Sequence, residues 1–560
     1  MSDSAARATV KITIDGREIT AEAGQTLLQV ALDHGIEIPH YCYHPKLSID
    51  GSCRMCQVKI EKAPKLAISC NTPVADGMVV DTRHEEVADA RRGVMELLLV
   101  NHPLDCPICD QAGECYLQDY SFGYGSQHAR TSSPRRKGVK RHPIGPRVVF
   151  DQERCILCRR CVRFTKEISE TDELRVFGIG DHSRIDTVPG APLDNDYSIC
   201  TADICPVGAL LSSDFHHKRR VWFLQEVESV CPSCANGCNV KLGMFRNEIQ
   251  RMVPRRNDAV NDTWMCDHGR LNYAFAQDET RVREARLAAA AGQGNGARPV
   301  ATTEEAIAEA ARRIRDAVGA HGASSVALIG SPHLTNEECF RLVALRDAIG
   351  TPHLDFVVQL GKADDLLIKA EKAANARGAR DVGVAPAAGG KDAAGIVAAC
   401  AAGEIKVLYV VGSSDLLAVL GEEAVLTALA LVETVIVQDA NRSALTDRAQ
   451  VVLPGLVWAE KDGSFTNHAG HVQRIRRAMV PLGDGLADGE IFVRLAGWIR
   501  DGRAPAGRFD ARATFVEVAA AVPAYAGLSL ERLGSRGHPA AAATAEAPVT
   551  AAAAPTSGGA

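Results

Sequence analysis

The stretch "ERCILCRRCVRF", residues 153–164, decides the reading of this chain. It sets Cys155, Cys158 and Cys161 two residues apart, and a fourth thiol follows far downstream at Cys205 in "ICPVGAL" (204–210). Short gaps let three thiolates converge on three corners of one small cube. The remote Cys-Pro turn supplies the fourth corner, so the pattern predicts a four-iron cubane in a ferredoxin-like domain. Cys200, in "SICTADICP", has no second C-x2-C-x2-C run to join and reads as a buried spare thiol.

Three more groups flank this one. Upstream lie Cys42, Cys53, Cys56 and Cys70, spaced C-x10-C-x2-C-x13-C. A two-iron cluster needs two thiolates on each iron and a loop that wraps it. Gly51 and Ser52 are small, so backbone N–H groups can approach the sulfides. Next comes "HPLDCPICDQAGEC" (102–115), with Cys106, Cys109 and Cys115 but no fourth thiol. His102, Asp105 and a borrowed Cys70 all stand as candidates for the fourth corner. Downstream, "CPSCANGC" carries Cys231, Cys234 and Cys238, and "TWMCDHGR" carries Cys266. Zinc competes at the first, second and fourth groups. Four such groups weaken it, because structural zinc serves small domains and this chain is large.

The groups absorb all but three of the 18 cysteines. Cys339 and Cys400 sit in apolar helical contexts and read as core thiols. The N-terminus has no hydrophobic signal core and no apolar run is long enough to span a bilayer. The expected compartment is a reducing cytoplasm, which argues against a disulfide framework. A net charge of -6 gives no bulk signal for nucleic acid.

With 560 residues the chain needs several domains. Residues 8–14 alternate like a strand, Asp15-Gly16 marks a hairpin turn, and residues 17–23 return as a second strand. A helix over 25–35 follows. This ββα start predicts a [2Fe-2S] ferredoxin-like (β-grasp) domain over 1–82. A helix over 85–103 leads into a second cysteine-bearing domain (83–122), then a ferredoxin-like [4Fe-4S] domain (123–220) and a fourth cysteine-bearing domain (221–277). After that, strands at 324–330, "IKVLYVVGSSD" and "ETVIVQDA" alternate with helices that begin at capping boxes Thr302-x-x-Glu305 and Thr335-x-x-Glu338. This predicts an α/β domain with a parallel sheet over 278–525. The Ala/Pro-rich remainder, 526–560, reads as a disordered tail. The fold class is thus multidomain, α+β then α/β.

The ordered set "GSCRMCQV", "NHPLDCPICDQAGECYLQD", "ERCILCRRCVRF", "ICPVGAL" and the last cysteine group resembles a known family over residues 8–525. That family is the large iron–sulfur subunit (the bacterial G subunit) of respiratory NADH:quinone oxidoreductase, complex I. The chain resembles a short form of it. The resemblance implies that His102 is a ligand beside Cys106, Cys109 and Cys115. It implies one [2Fe-2S] cluster on Cys42, Cys53, Cys56 and Cys70. It implies three [4Fe-4S] clusters, the other two on Cys155, Cys158, Cys161 and Cys205 and on Cys231, Cys234, Cys238 and Cys266. In the family the last cluster is often absent and lies off the main electron path. The back half resembles a degenerate molybdopterin oxidoreductase domain, with no molybdenum cofactor expected. Relatives often read Asn-x-Glu-Gly-Arg-x-Gln where this chain has Asn467, Ala469, Gly470, His471 and Gln473.

No catalytic residue stands out, and no G-x-G-x-x-G is present. The chain therefore reads as a wire inside an oxidoreductase (a translocase in the whole complex). Electrons would pass from an FMN/NADH-binding subunit towards quinone-site subunits. The implied place is peripheral, on the cytoplasmic side of the bacterial inner membrane, with no nucleic acid partner. The alternative is the iron–sulfur subunit of a soluble NAD-linked formate dehydrogenase or hydrogenase.

Overall fold

The computed structural model describes residues 8–541, apart from 127, 131, 133 and 289–299. The chain divides into two compact units, residues 1–225 with 264–271, and residues 226–263 with 272–560.

The first unit opens with β1 (Thr9–Ile14) and β2 (Arg17–Glu22), antiparallel about Asp15 and Gly16, whose φ values are +49° and +79°. Two positive φ angles are what a two-residue hairpin turn demands. Helix α1 (Leu27–Asp33) starts where the Gln29 N–H donates to the Thr26 hydroxyl at 3.3 Å. Strands β3 (Gln57–Ile60), β4 (Ala67–Ile68) and β5 (Met78–Asp81) complete a sheet of order β2-β1-β5-β3-β4, with β1 and β5 parallel. Ile12, Ile14, Leu27, Leu28, Val58 and Val80 fill the space between sheet and helix. The β-grasp expectation is met.

Helix α2 (Glu85–Asn101) delivers the chain to His102, and α3 (Tyr116–Tyr124) begins directly after Cys115. Then come β6 (His142–Pro143), β7 (Val148–Phe150), α4 (Arg160–Glu167), β8 (Leu174–Phe177), β9 (Arg184–Thr187), α5 (Cys200–Asp203) and β10 (Leu210–Ser212). Tyr41 and Met55, Met95 and Leu117, and Phe150 and Val207 belong to one apolar cluster. The three segments expected over 1–82, 83–122 and 123–220 therefore share a core.

A last helix of this unit is α6 (Asp267–Leu271). The Asp267 carboxylate accepts from the Ser198 hydroxyl at 2.5 Å and the Ile199 N–H at 3.0 Å. Trp264 stacks on His44 and packs against Phe164. These long-range contacts have no local sequence signature.

The second unit begins with a three-stranded sheet, β11 (Gln225–Val230), β12 (Asn239–Phe245) and β13 (Glu248–Pro254). Its main sheet runs β15-β14-β20-β19-β18-β16-β17, from β14 (Ala285–Leu287), β15 (Val300–Ala301), β16 (Val326–Gly330), β17 (Leu354–Phe356), β18 (Val407–Val411), β19 (Thr434–Asp439) and β20 (Val451–Pro454). The five strands from β20 to β17 are parallel, and β14 and β15 form an antiparallel edge. Helices α7 (Thr303–His321) and α8 (Asn336–Ile349) each start at the expected capping box. Cys339 and Cys400 are buried in the apolar layers on the sheet.

The expected disordered tail is corrected over 526–541. Leu528, Leu530 and Leu533 are core residues, and β23 (His538–Pro539) pairs with β22 (His471–Ile475), itself the partner of β21 (Gly463–Thr466). Three leucines supply enough apolar area to seat a stretch whose average composition looks unstructured. Residues 542–560 lie outside the described residues.

Candidate iron–sulfur centres

The long loop from α1 to β3 carries Cys42, Cys53 and Cys56, and a short turn after β4 carries Cys70. Their thiols touch one another. Neighbouring sulfurs donate to Cys42 and Cys56, pulling both below the usual thiol range, Cys56 to about 7. Cys53 and Cys70 are the donors and are pushed up. Backbone N–H groups of Ser52 and Cys53 also reach Cys42. Three buried sulfurs and the half-buried one of Cys53, linked through hydrogen bonds and fed by backbone donors, fit a thiolate-ligated centre.

Cys155, Cys158, Cys161 and Cys205 line one small cavity with Phe150, Ile185 and Leu210. Burial raises all four thiols, Cys158 to about 11. Neutral thiols are stable there only until a metal replaces the protons. N–H donors aim inward: Leu157 reaches Cys155 Sγ at 3.4 Å, and Val207, Ala209 and Leu210 serve Cys205.

His102, Cys106 and Cys115 border one open cavity just past the end of α2. Cys109 lies against Gly208, where a Cβ would stand 2.2 Å from its Sγ. Burial first, then Arg154, holds His102 down to about 4, so its ring is neutral and can ligate at pH 7. Asp105 is engaged elsewhere, by Arg154 at 3.1 Å and Lys140 at 2.5 Å. Cys70 sits among the first group's thiols.

In the second unit, Cys231, Cys234 and Cys238 ride the loop from β11 to β12, closed by the Cys231 N–H donating to Cys238 O at 2.8 Å. The Asn236 amide donates to Cys238 Sγ at 3.1 Å. Cys266 belongs to the first unit, where the Gly269 N–H donates to its Sγ at 3.3 Å. Cys200 donates to Met265 O at 3.2 Å and is fully buried, as a spare thiol should be.

Left-handed backbone recurs in the cysteine gaps: Arg54 at φ +59°, Leu157 at +55°, Arg159 at +58° and Gly237 at +59°. Such residues cost strain when not glycine, and they turn successive N–H groups to one side, forming an anion-binding concavity.

Residues 7–85 match a 2Fe-2S iron-sulfur cluster binding domain, and residues 145–211 the ferredoxin-like domain of NADH-quinone oxidoreductase subunit 3. Residues 91–130 match the NADH-ubiquinone oxidoreductase-G iron-sulfur binding region. The NADH-quinone oxidoreductase G subunit of Rickettsia bellii is 44% identical over 264 residues, 47% of this chain and 39% of that one. Over this stretch the chain is similar to the NADH-quinone oxidoreductase G subunit. The G subunit of Rickettsia felis is 38% identical over 342 residues, 61% of this chain and 49% of that one. The NADPH-Fe(3+) oxidoreductase subunit alpha of Geobacter sulfurreducens is 36% identical over 355 residues, 63% of this chain and 41% of that one. The chain spans about half the length of these curated relatives, or less. Further along, residues 224–278 match a molybdopterin oxidoreductase Fe4S4 domain and residues 370–497 a molybdopterin oxidoreductase. A solved NAD+-reducing [NiFe]-hydrogenase chain is 30% identical with a TM-score of 0.35, covering 38% of this chain and 92% of that one.

Several residues around the sites escape sequence reading. Arg220 donates to Cys109 O at 2.5 Å and also to Pro107 O. Gln473 donates to Gly237 O at 2.9 Å and accepts from Asn239, and Asn467 donates to Asn236 O at 3.1 Å. Asn467 and Gln473 are, with Gly470, the positions kept from the relatives' Asn-x-Glu-Gly-Arg-x-Gln pattern. That retention was the available signal: both hold the loop of Cys234 and Cys238. Among the described residues no helix is long and apolar enough to cross a membrane.

Proposed function

We propose that this chain is an electron-transfer iron–sulfur subunit of an NADH:quinone oxidoreductase. It takes electrons from an FMN/NADH-binding subunit and passes them towards quinone-site subunits, in a complex that translocates protons. The first site (Cys42, Cys53, Cys56, Cys70) holds a [2Fe-2S] cluster. The other three hold [4Fe-4S] clusters, on His102, Cys106, Cys109 and Cys115, on Cys155, Cys158, Cys161 and Cys205, and on Cys231, Cys234, Cys238 and Cys266. A bound cluster supplies a one-electron redox centre. The protein's part is to exclude water, donate backbone N–H groups to sulfur and set charge around each centre. The chain acts peripherally, on the cytoplasmic face of the membrane, and no molybdenum is held.

The observation that carries this reading is the third site, where four thiols face one cavity and receive inward N–H donors. A neutral imidazole at the second site makes that centre less negative than an all-thiolate one and favours its reduced state.

Anaerobically purified full-length chain should hold about 14 iron atoms, the total of the four cluster sizes. About four zinc ions without iron would overturn the reading. The Geobacter relative, similar over a larger share of this chain than the Rickettsia bellii protein, favours one second reading. In it the same wire serves a soluble NAD(P)H-linked enzyme such as a formate dehydrogenase or hydrogenase. Copurification with membrane subunits decides against that reading, and recovery in a membrane-free complex decides for it.

A further inference from the structure

Two buried arginines lie between the first and third cysteine sites. Arg160 and Arg163 open α4, three residues apart and so on one helix face. Arg160 donates to Tyr43 O at 2.5 Å, beside Cys42, and to Ile204 O at 3.2 Å, beside Cys205. Arg163 donates to Cys42 O at 2.5 Å, to Ser48 O, and to Cys158 O at 3.4 Å. Each guanidinium thus touches the main chain at or beside a ligand of one site and of the other.

Among the described residues neither side chain makes an ion pair. Among the described residues every hydrogen-bond partner of these two side chains is a main-chain carbonyl. Both Nε atoms are buried without a partner. Arg160 is 5% and Arg163 8% exposed. Arg154, facing the second site, is the contrast: it lies 3.1 Å from Asp105 and 3.3 Å from Asp151, so its charge is spent. A buried guanidinium without a carboxylate is costly unless negative charge is supplied nearby. Centres ligated by four thiolates supply it on both sides.

We propose that Arg160 and Arg163 form a buried cationic bridge that stabilises an added electron at both the first and the third site. It rests on the cluster reading given above. In a low-dielectric core an unneutralised cation acts over both neighbours at once, favouring their reduced forms and screening each from the other's electron. The bridge is electrostatic, and the carbonyl bonds only position it. These are positioning residues, since they meet carbonyls rather than the redox atoms.

The test uses the full chain, anaerobically reconstituted with iron and sulfide. Each cluster is followed by its own EPR signal during a redox titration, with iron content measured in parallel. Arg163→Gln removes the charge and keeps an amide donor. At the wild-type midpoints its reduced-to-oxidised ratio should fall about tenfold at both sites, a downward shift of about 59 mV for a one-electron couple. Arg163→Lys keeps the charge and should stay near wild type. The Arg160→Gln and Arg160→Lys pair repeats the comparison should an Arg163 variant fail to load. Fully loaded Gln variants at both positions with unmoved potentials overturn the bridge. So do Lys variants that shift as far as Gln. Wild-type chain that takes up no iron and sulfide overturns the cluster reading instead, which separates the two failures.

Discussion

The Arg154 guanidinium grips the Asp105 carboxylate, Nη2 to Oδ2 at 3.1 Å, and Lys140 Nζ closes on the same oxygen at 2.5 Å. Those cations hold Asp105 ionised and engaged, which leaves His102 as the donor facing the second cavity. Asp105→Asn should therefore keep the second four-iron signal, and His102→Ala should lose it. His102→Cys should keep it at a lower potential, because a thiolate adds negative charge. Iron analysis with EPR redox titration reads all three. Loss of the signal in Asp105→Asn with retention in His102→Ala would reverse the assignment.

Gly208 matters for space rather than for backbone freedom. A Cβ there would stand 2.2 Å from Cys109 Sγ and 3.1 Å from Gln111 Cβ. Gly208→Ala should displace Cys109 and cost the second cluster alone, about 4 of about 14 iron atoms. A full iron load in this variant would mean that the loop yields without losing the site.

Gln473 holds Gly237 O and Asn239 from the far end of the chain. Gln473→Ala should leave these buried groups unmet, at about 1–3 kcal/mol. The loop of Cys234 and Cys238 should loosen, so the fourth site loses its EPR signal while the other three keep their potentials. Uniform loss at all four sites would contradict this local role.

Glu337 is fully buried and hydrogen-bonded to the Ser464 N–H and hydroxyl. Burial raises its carboxyl from 4.5 to about 7. The folded state thus binds the proton more tightly than the unfolded state. Its contribution is complete below pH 4.5 and is lost as pH rises through 7, by about 3 kcal/mol at about 1.4 kcal/mol per tenfold change. Glu337→Gln should flatten that slope, gaining stability over wild type at pH 8 but not at pH 4. Denaturant unfolding at the two pH values measures it, and equal slopes in both proteins would refute it.

Much of the fold was legible because its signals are local. The Asp15-Gly16 turn, the boxes at Thr302 and Thr335 and the apolar strands at 326, 407 and 434 each depend on a few neighbouring residues, and each formed where expected. The cysteine groups were legible for the same reason, since ligand spacing is fixed by the reach of a short loop. The tail was misread because composition averaged over Leu528, Leu530 and Leu533, which are core.

The sequence by itself determined which residue types were available to each centre and the order of the folded segments. Only the tertiary structure decided how those residues divide their loyalties. Asp105 was a free carboxylate until Arg154, 49 positions away, came to hold it. Arg160 and Arg163 were ordinary helix cations until packing placed the Cys42 and Tyr43 carbonyls, more than 100 positions away, against them. Spacing along a chain sets what a loop can reach, but charge and hydrogen bonds act through space, so their partners are chosen only when the chain is packed.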